Sequence, residues 1–144
     1  MGSRRKAREL ALQMLYWHDI AGTAPEEIFL RFEDLHRANA ETREFARNLV
    51  LGTVERQAEL DALIVRQAEN WRIERMPAVD RNLLRMALFE MIHFADTPAA
   101  VVIDEALEIA KRFSTPKSPQ FVNGILDAVR KREVAGPAVL AEAP

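Results

Sequence analysis

The sequence predicts an all-α fold, about seven helices in two packed helical subdomains. Three observations carry this. Apolar residues recur at i, i+3, i+4 and i+7 along nearly the whole chain. No stretch alternates as a strand does. Pro, Gly and hydroxyl residues punctuate the periodic segments. The boundaries read as a single domain over 1–133, with an N-terminal subdomain over about 1–76 and a C-terminal one over about 77–133, followed by a flexible tail over 134–144.

The elements follow in order. Ala7, Leu10, Ala11, Met14 and Leu15 set the apolar face of a first helix that Gly22 stops. Thr23-Ala24-Pro25-Glu26 has the form of a capping box with Pro in the first turn, and opens a second helix carrying Ile28, Phe29, Phe32 and Leu35. Residues 38–40 connect to a long helical stretch from about Glu41 to Asn70. Its apolar spacing lapses near Glu55–Glu59, where a break is expected. Trp71 to Met76 reads as a turn or a single helical turn. Pro77 restarts a helix through about Ala95 with Val79, Leu83, Leu84, Ala87, Leu88, Met91 and Ile92 inward. Thr97-Pro98 opens the next helix, which buries Val102, Ile103, Ala106, Leu107 and Ala110. After the loop Ser114-Thr115-Pro116-Lys117, Ser118-Pro119 suits an N-cap and first helical position, and the last helix carries Val122, Ile125, Leu126 and Val129. Beyond Glu133 the Ala-, Val- and Pro-rich chain has no period.

Composition narrows the function classes. The 144 residues, 49% hydrophobic, suffice for a substantial core. The absence of cysteine excludes disulfides, thiolate metal sites and Cys nucleophiles, and fits a reducing compartment. No apolar run approaches the roughly 20 residues of a membrane span. The basic N-terminus is not followed by a signal-peptide core, so a cytoplasmic protein without membrane association is expected.

Net charge is only −2, but it is unevenly placed. Residues 1–8 hold Arg4, Arg5, Lys6 and Arg8 and no acid, and residues 111–132 hold Lys111, Arg112, Lys117, Arg130, Lys131 and Arg132 against Asp127 alone. Folded to one side, the two ends make a basic patch on an acidic body, a footprint for nucleic acid; folded apart, they are two solvated ends.

Catalytic constellations are poor. His18, His36 and His93 lack metal-ligand spacing, and no Gly-rich phosphate loop follows a strand. Glu108 with Lys111 and Arg112 has the spacing of ordinary helix support, although Asp104-Glu105 and Glu108 could in principle do acid–base work. No catalytic residue, metal or cofactor is expected. Binding is better supported. On a helical wheel Arg5, Glu9, Leu12 and Tyr16 share one side, with Arg8 and Gln13 at its margins and Ala7, Ala11, Met14 and His18 opposite. Cations for phosphates and a ring for a base suit single-stranded nucleic acid; the alternative, packing against the second helix, is open for Tyr16 and is the favoured reading for Trp17. In the last helix Gln120, Asn123, Gly124, Asp127 and Lys131 oppose the apolar face, with Phe121 at the margin just after Lys117. Gly124 inside a helical pattern suggests a close approach, by a helix or by a nucleotide.

The residues also carry a resemblance. Arg5-Lys6-Ala7-Arg8-Glu9 with Ala11-Leu12-Gln13 and Leu15-Tyr16, then Val79-Asp80-Arg81 with Leu84-Arg85-Met86-Ala87 and Phe89-Glu90, then Val102-Ile103-Asp104-Glu105-Ala106 with Ile109-Ala110-Lys111, and finally Phe121-Val122-Asn123-Gly124-Ile125-Leu126-Asp127 stand in one order. In these blocks the chain resembles the NusB family of bacterial transcription antitermination factors over about residues 4–132. Residues 20–75 match mainly in helical pattern. The resemblance implies no enzymatic activity. It implies binding of the boxA element of nascent RNA with ribosomal protein NusE, in a complex with NusA, NusG and RNA polymerase that acts notably on ribosomal RNA operons. It assigns RNA binding to Arg4, Arg5, Lys6, Arg8, Gln13, Tyr16, Lys117, Gln120 and Phe121, and a partner surface largely to the C-terminal subdomain, where Asp80 is the candidate as an exposed acid facing a basic protein; the other reading of Asp80 is an acid in a helix's first turn, favoured by the dipole. A homodimer is left open. Asp104 stands where the family often has Asn, and Lys117 lies in a loop that is often acidic. Two other classes compete. NusB-like domains also precede ribosomal RNA cytosine methyltransferases, but this chain has no strand-rich half or methyl-donor motif. A module that binds protein alone would use the basic segments only for solubility.

Overall fold

Eight of the eleven positions from Asn82 to Ile92 are apolar, too many for one face of a surface helix, and a helix that is hydrophobic nearly all round belongs inside. That helix is the centre of the molecule. In the computed structural model, which describes residues 2–68, 71–94 and 97–134 with side chains between 4 and 132, helix α6 (Ala78–His93) is buried continuously from Asn82 to Met91. Around it lie α1 (Gly2–Ala21), α4 (Ala40–Glu55), α5 (Gln57–Gln67), α7 (Ala99–Phe113) and α8 (Ser118–Val129), all in contact with α6. Of two short helices, α2 (Pro25–Arg31) packs on α1 and α4 and α3 (Glu33–Arg37) follows it, a 3₁₀ turn spans Ile73–Arg75, and a π turn follows α8 at Arg130–Val134. There are no strands among the described residues. One apolar cluster runs from Ala7 to Val129 through both halves of the chain.

Local signals explain most boundaries. Gly22, at φ 75°, donates its N–H to the His18 carbonyl at 2.9 Å and closes α1 with a left-handed residue. The long stretch after residue 40 breaks at Arg56, inside the expected lapse. Asn39 caps α4, its side chain accepting from the Thr42 N–H at 2.8 Å.

Three local expectations are corrected. The second helix is two: Phe32 is extended at φ −85°, ψ 101°, because its ring turns inward to meet Trp17 edge-on at 6.3 Å. Thr23 does not cap α2; the cap position is Ala24, with no side-chain hydrogen bond, so Thr23 lies one residue too early. Ser118 is the first residue of α8 rather than its cap, and its hydroxyl is engaged elsewhere. The tail expected over 134–144 lies outside the described residues from 135 onward.

The polar residues of α6 are all matched, as burial requires. Glu90 meets Arg8 of α1, Arg85 meets Asp61 of α5 at 2.7 and 3.1 Å, and Asn82 and Arg81 meet Asp19 of α1 at 2.8 and 2.6 Å. These pairs fix the rotation and register of α6 against its neighbours. They thereby fix where the ends of α1, α6 and α7 meet at the surface.

Candidate nucleic-acid interface

The basic start of α1 divides among three neighbours. The Arg4 guanidinium lies over the Phe45 ring at 4.1 Å from its centroid, toward α4. Arg5 makes a bidentate pair with Glu105 of α7, both bonds 2.8 Å. Lys6 is exposed, with no ion-pair partner among the described residues. Arg8 is 5% exposed and forks onto Glu90 at 2.8 and 2.5 Å, so its guanidinium is committed to the interior.

The side of α1 expected to be open is narrower than the wheel suggests. Leu12 is 2% exposed, and Glu9 is buried against Arg112 of α7 at 3.1 Å. The cause is tertiary: α1 packs on both α4 and α6, and α7 reaches its remaining flank through ion pairs. Among the wheel's open positions, Arg5, Gln13 and Tyr16 remain at or near the surface, and Tyr16 keeps 43% exposure. Trp17 packs on Phe32, and the Arg31 guanidinium lies over its ring at 5.3 Å from the centroid.

Gln13 and Tyr16 line a groove of about 400 Å³ with Leu12, Phe32, Val79 and Phe113. Lys117 and Phe121 line a second, of about 310 Å³, with Trp71, Pro77, Asp80, Thr115 and Ser118. A third, of about 430 Å³, is lined by Gln120 and again by Phe121 and Trp71. Val79 and Phe113 line the first and their near neighbours in sequence, Asp80 and Thr115, line the second, so both grooves lie against the start of α6 and the end of α7. The start of α6 and the end of α7 therefore bring together residues from both ends of the sequence. The grooves are lined by one cation (Lys117), by rings (Tyr16, Phe113, Phe121, Trp71) and by amides (Gln13, Gln120), the residue types that bind phosphates, stack bases and read base edges, while Arg5 and Arg112 pair with Glu105 and Glu9 outside these linings.

Asp80 is not the exposed acid expected of it. It is 3% exposed and accepts from the Ser114 and Ser118 hydroxyls at 2.6 and 2.9 Å, which ties the α7–α8 loop to the start of α6. The loop that carries Lys117 is thus held by a buried carboxylate. Sequence reasoning missed Trp71, Phe113 and Arg112 as site residues. Trp71 had one usable signal, a large ring flanked by polar residues in Asn70-Trp71-Arg72, where core periodicity gives no reason for it.

The ion pairs shift the carboxylates. The hydrogen bond from Arg5, above all, holds Glu105 below its ordinary 4.5; burial opposes this, and the charges of Arg5 and Arg8 add to it. Burial is the largest influence on Asp19 and pushes it up, but hydrogen bonds from Arg81 and Asn82, with the charges of Arg81 and Arg85, outweigh it and leave it below its ordinary 3.8. Both groups ionise more readily folded than unfolded. The stability they contribute is full above those ordinary values and is lost as pH falls through the lowered folded ones. Urea midpoints measured from pH 6 downward are expected to fall more gently below about pH 4 in Asp19→Asn than in wild type.

Among the described residues, no group of His, Cys, Asp and Glu is suited to a metal, and no helix is long and apolar enough to cross a membrane.

Comparison with known proteins bears on this surface. The model of the NusB family matches residues 5–131. The transcription antitermination protein NusB of Desulforapulum autotrophicum is 48% identical over 134 residues, covering 90% of this chain and 92% of that protein. Its counterpart in Solibacter usitatus is 51% identical over 133 residues, covering 91% and 90%. Among solved structures, T. maritima NusB is 36% identical and superimposes with a TM-score of 0.81 over 90% of this chain and 91% of its own. A chain from a crystal structure of antitermination factors NusB and NusE in complex with dsRNA is 31% identical, with a TM-score of 0.83 over 91% and 98%.

Proposed function

The chain belongs to the NusB family of transcription antitermination proteins, and from that premise we propose that it binds the boxA element of nascent RNA together with ribosomal protein NusE. In this reading it is an adaptor without enzymatic activity. The RNA–NusE assembly joins NusA, NusG and RNA polymerase and carries polymerase past terminators, notably in ribosomal RNA operons. The single observation that supports it best is that the Tyr16 groove and the Lys117–Phe121 groove both lie against the start of α6 and the end of α7. Arg4, Arg5, Lys6 and Lys117 supply positive charge for phosphates, Tyr16 and Phe121 supply rings for bases, and Gln13 and Gln120 supply amides for base edges. Arg8 and Asp80 act one step back. Arg8 anchors the first helix, and Asp80 holds the Lys117 loop that a protein partner would meet.

A separate observation bears on phosphate binding. Arg5 offers Nε and Nη2 to Glu105, which leaves Nη1 on the far side of the fork free to face a phosphate while the side chain stays oriented. The test is RNA affinity, with and without NusE, for boxA and a scrambled RNA, in wild type and Tyr16→Ala. The expected result is tighter binding of boxA, strengthened by NusE, and a loss of about 1–3 kcal/mol in Tyr16→Ala with fold retained. Equal binding of both RNAs by wild type, or full binding by the variant, would remove the assignment.

A further inference from the structure

Gly124 sits in mid-α8 at a place where nothing in the fold asks for glycine. Its φ is not positive, and a Cβ built there meets nothing within 4 Å. Gly52 shows the contrast: a Cβ there would lie 1.9 Å from the Phe89 ring, so the crossing of α4 and α6 needs the missing side chain. Glycine weakens a helix interior, and at Gly124 no packing returns that loss. What the missing side chain does leave is space. Gly124 helps line the groove of about 430 Å³ with Gln67, Trp71, Gln120 and Phe121.

The walls of that groove are aromatic and its free polar ends are of the kind that read bases. The Trp71 ring, 48% exposed, stands 5.7 Å from the Phe121 ring at an interplanar angle of 59°. The two planes open as a wedge. The indole N–H and the Gln67 and Gln120 amides have no hydrogen-bond partner among the described residues. Lys117, also without a partner there, lines the neighbouring groove that shares the Trp71 and Phe121 rings with this one. A flat apolar face beside unpaired amides, with a cation one groove away, matches a nucleobase and its phosphate better than a protein side chain.

We propose that the cleft between Trp71, Gln120 and Gly124 is a nucleobase-binding site, in which one base of a single-stranded RNA stacks on the Trp71 indole and its edge meets the Gln67 and Gln120 amides. It rests on the RNA-binding reading above and extends the strand's path beyond Phe121 to the turn after α5. Gly124 keeps the floor low enough for a base to enter, and Trp71 becomes the outermost ring of the path.

The test uses the full chain carrying Trp17→Phe, which leaves Trp71 as its sole tryptophan, and a single-stranded boxA dodecamer with NusE present. The expected results are quenching of Trp71 fluorescence on RNA addition, loss of that quenching when one particular nucleotide is made abasic, and binding on the order of tenfold weaker in Trp71→Ala with an unchanged salt slope. Gly124→Leu is expected to bind RNA less well while its thermal midpoint equals or exceeds that of wild type. RNA binding unchanged in both variants would overturn the site and leave the wider RNA reading standing. Loss of NusE binding with RNA binding intact would overturn it in favour of a protein-docking cleft. Failure of the parent chain to bind RNA under any of these conditions would overturn both.

Discussion

Glu90→Ala is expected to lower stability by about 3–5 kcal/mol, read as a shift in urea midpoint at constant slope. The Arg8 and Glu90 side chains are 6% and 1% exposed, and the pair is bidentate. With Glu90 gone, the Arg8 guanidinium keeps its charge, because no arginine deprotonates near neutrality, and it has little water to turn to. The nearest remaining carboxylate oxygen is that of Glu105, 3.8 Å away and already bonded to Arg5. Arg8→Met combined with Glu90→Leu is expected to recover most of the loss, since two apolar residues remove the charges together. A small effect in the single variant would mean that the pair is open to water. The pair also bears on RNA measurements: a variant at Arg8 that binds RNA poorly has first to be shown folded.

Asp80→Ala is expected to cost about 2–3 kcal/mol, the next largest effect. The Asp80 carboxylate accepts from Ser114 and Ser118, so its removal leaves the buried Ser118 hydroxyl to Ser114 and Thr115 alone and unties the α7–α8 loop from α6. Amide exchange over residues 113–119 is expected to quicken more than over α4. NusE affinity that falls while exchange and urea midpoint stay at wild-type values would reverse this assignment and make Asp80 a direct contact.

These two residues show where sequence reasoning stops. Periodicity located the apolar faces of α1, α6, α7 and α8, and Gly22, Pro77 and Thr97-Pro98 marked helix limits, because such signals lie within a few residues of their effect. Arg8 and Glu90 are 82 positions apart, and Asp80 is 34 and 38 positions from its two serines. Nothing local distinguishes such partners from solvated charges. Leu12 fails for a related reason: a wheel finds one buried face, whereas α1 has neighbours on several sides. Phe32 broke a helix that spacing alone would continue, because its ring is drawn toward Trp17. Tyr16, Lys117, Gln120 and Phe121 were legible as polar or aromatic positions off the apolar stripe. Trp71 lay outside any periodic stripe, and its one signal was a large ring among polar neighbours in a short turn.

The central claim is that phosphates meet the basic edge of this surface. Its most direct test is the dependence of boxA RNA affinity on salt, plotted as logarithms, for wild type and Arg5→Ala in the presence of NusE. The account predicts a clear negative slope for wild type, with Arg5→Ala weaker at low salt and shallower by about 0.7, the contribution of one phosphate contact on a single strand. A wild-type affinity that barely changes with ionic strength, or an Arg5→Ala line that coincides with it, would contradict the claim.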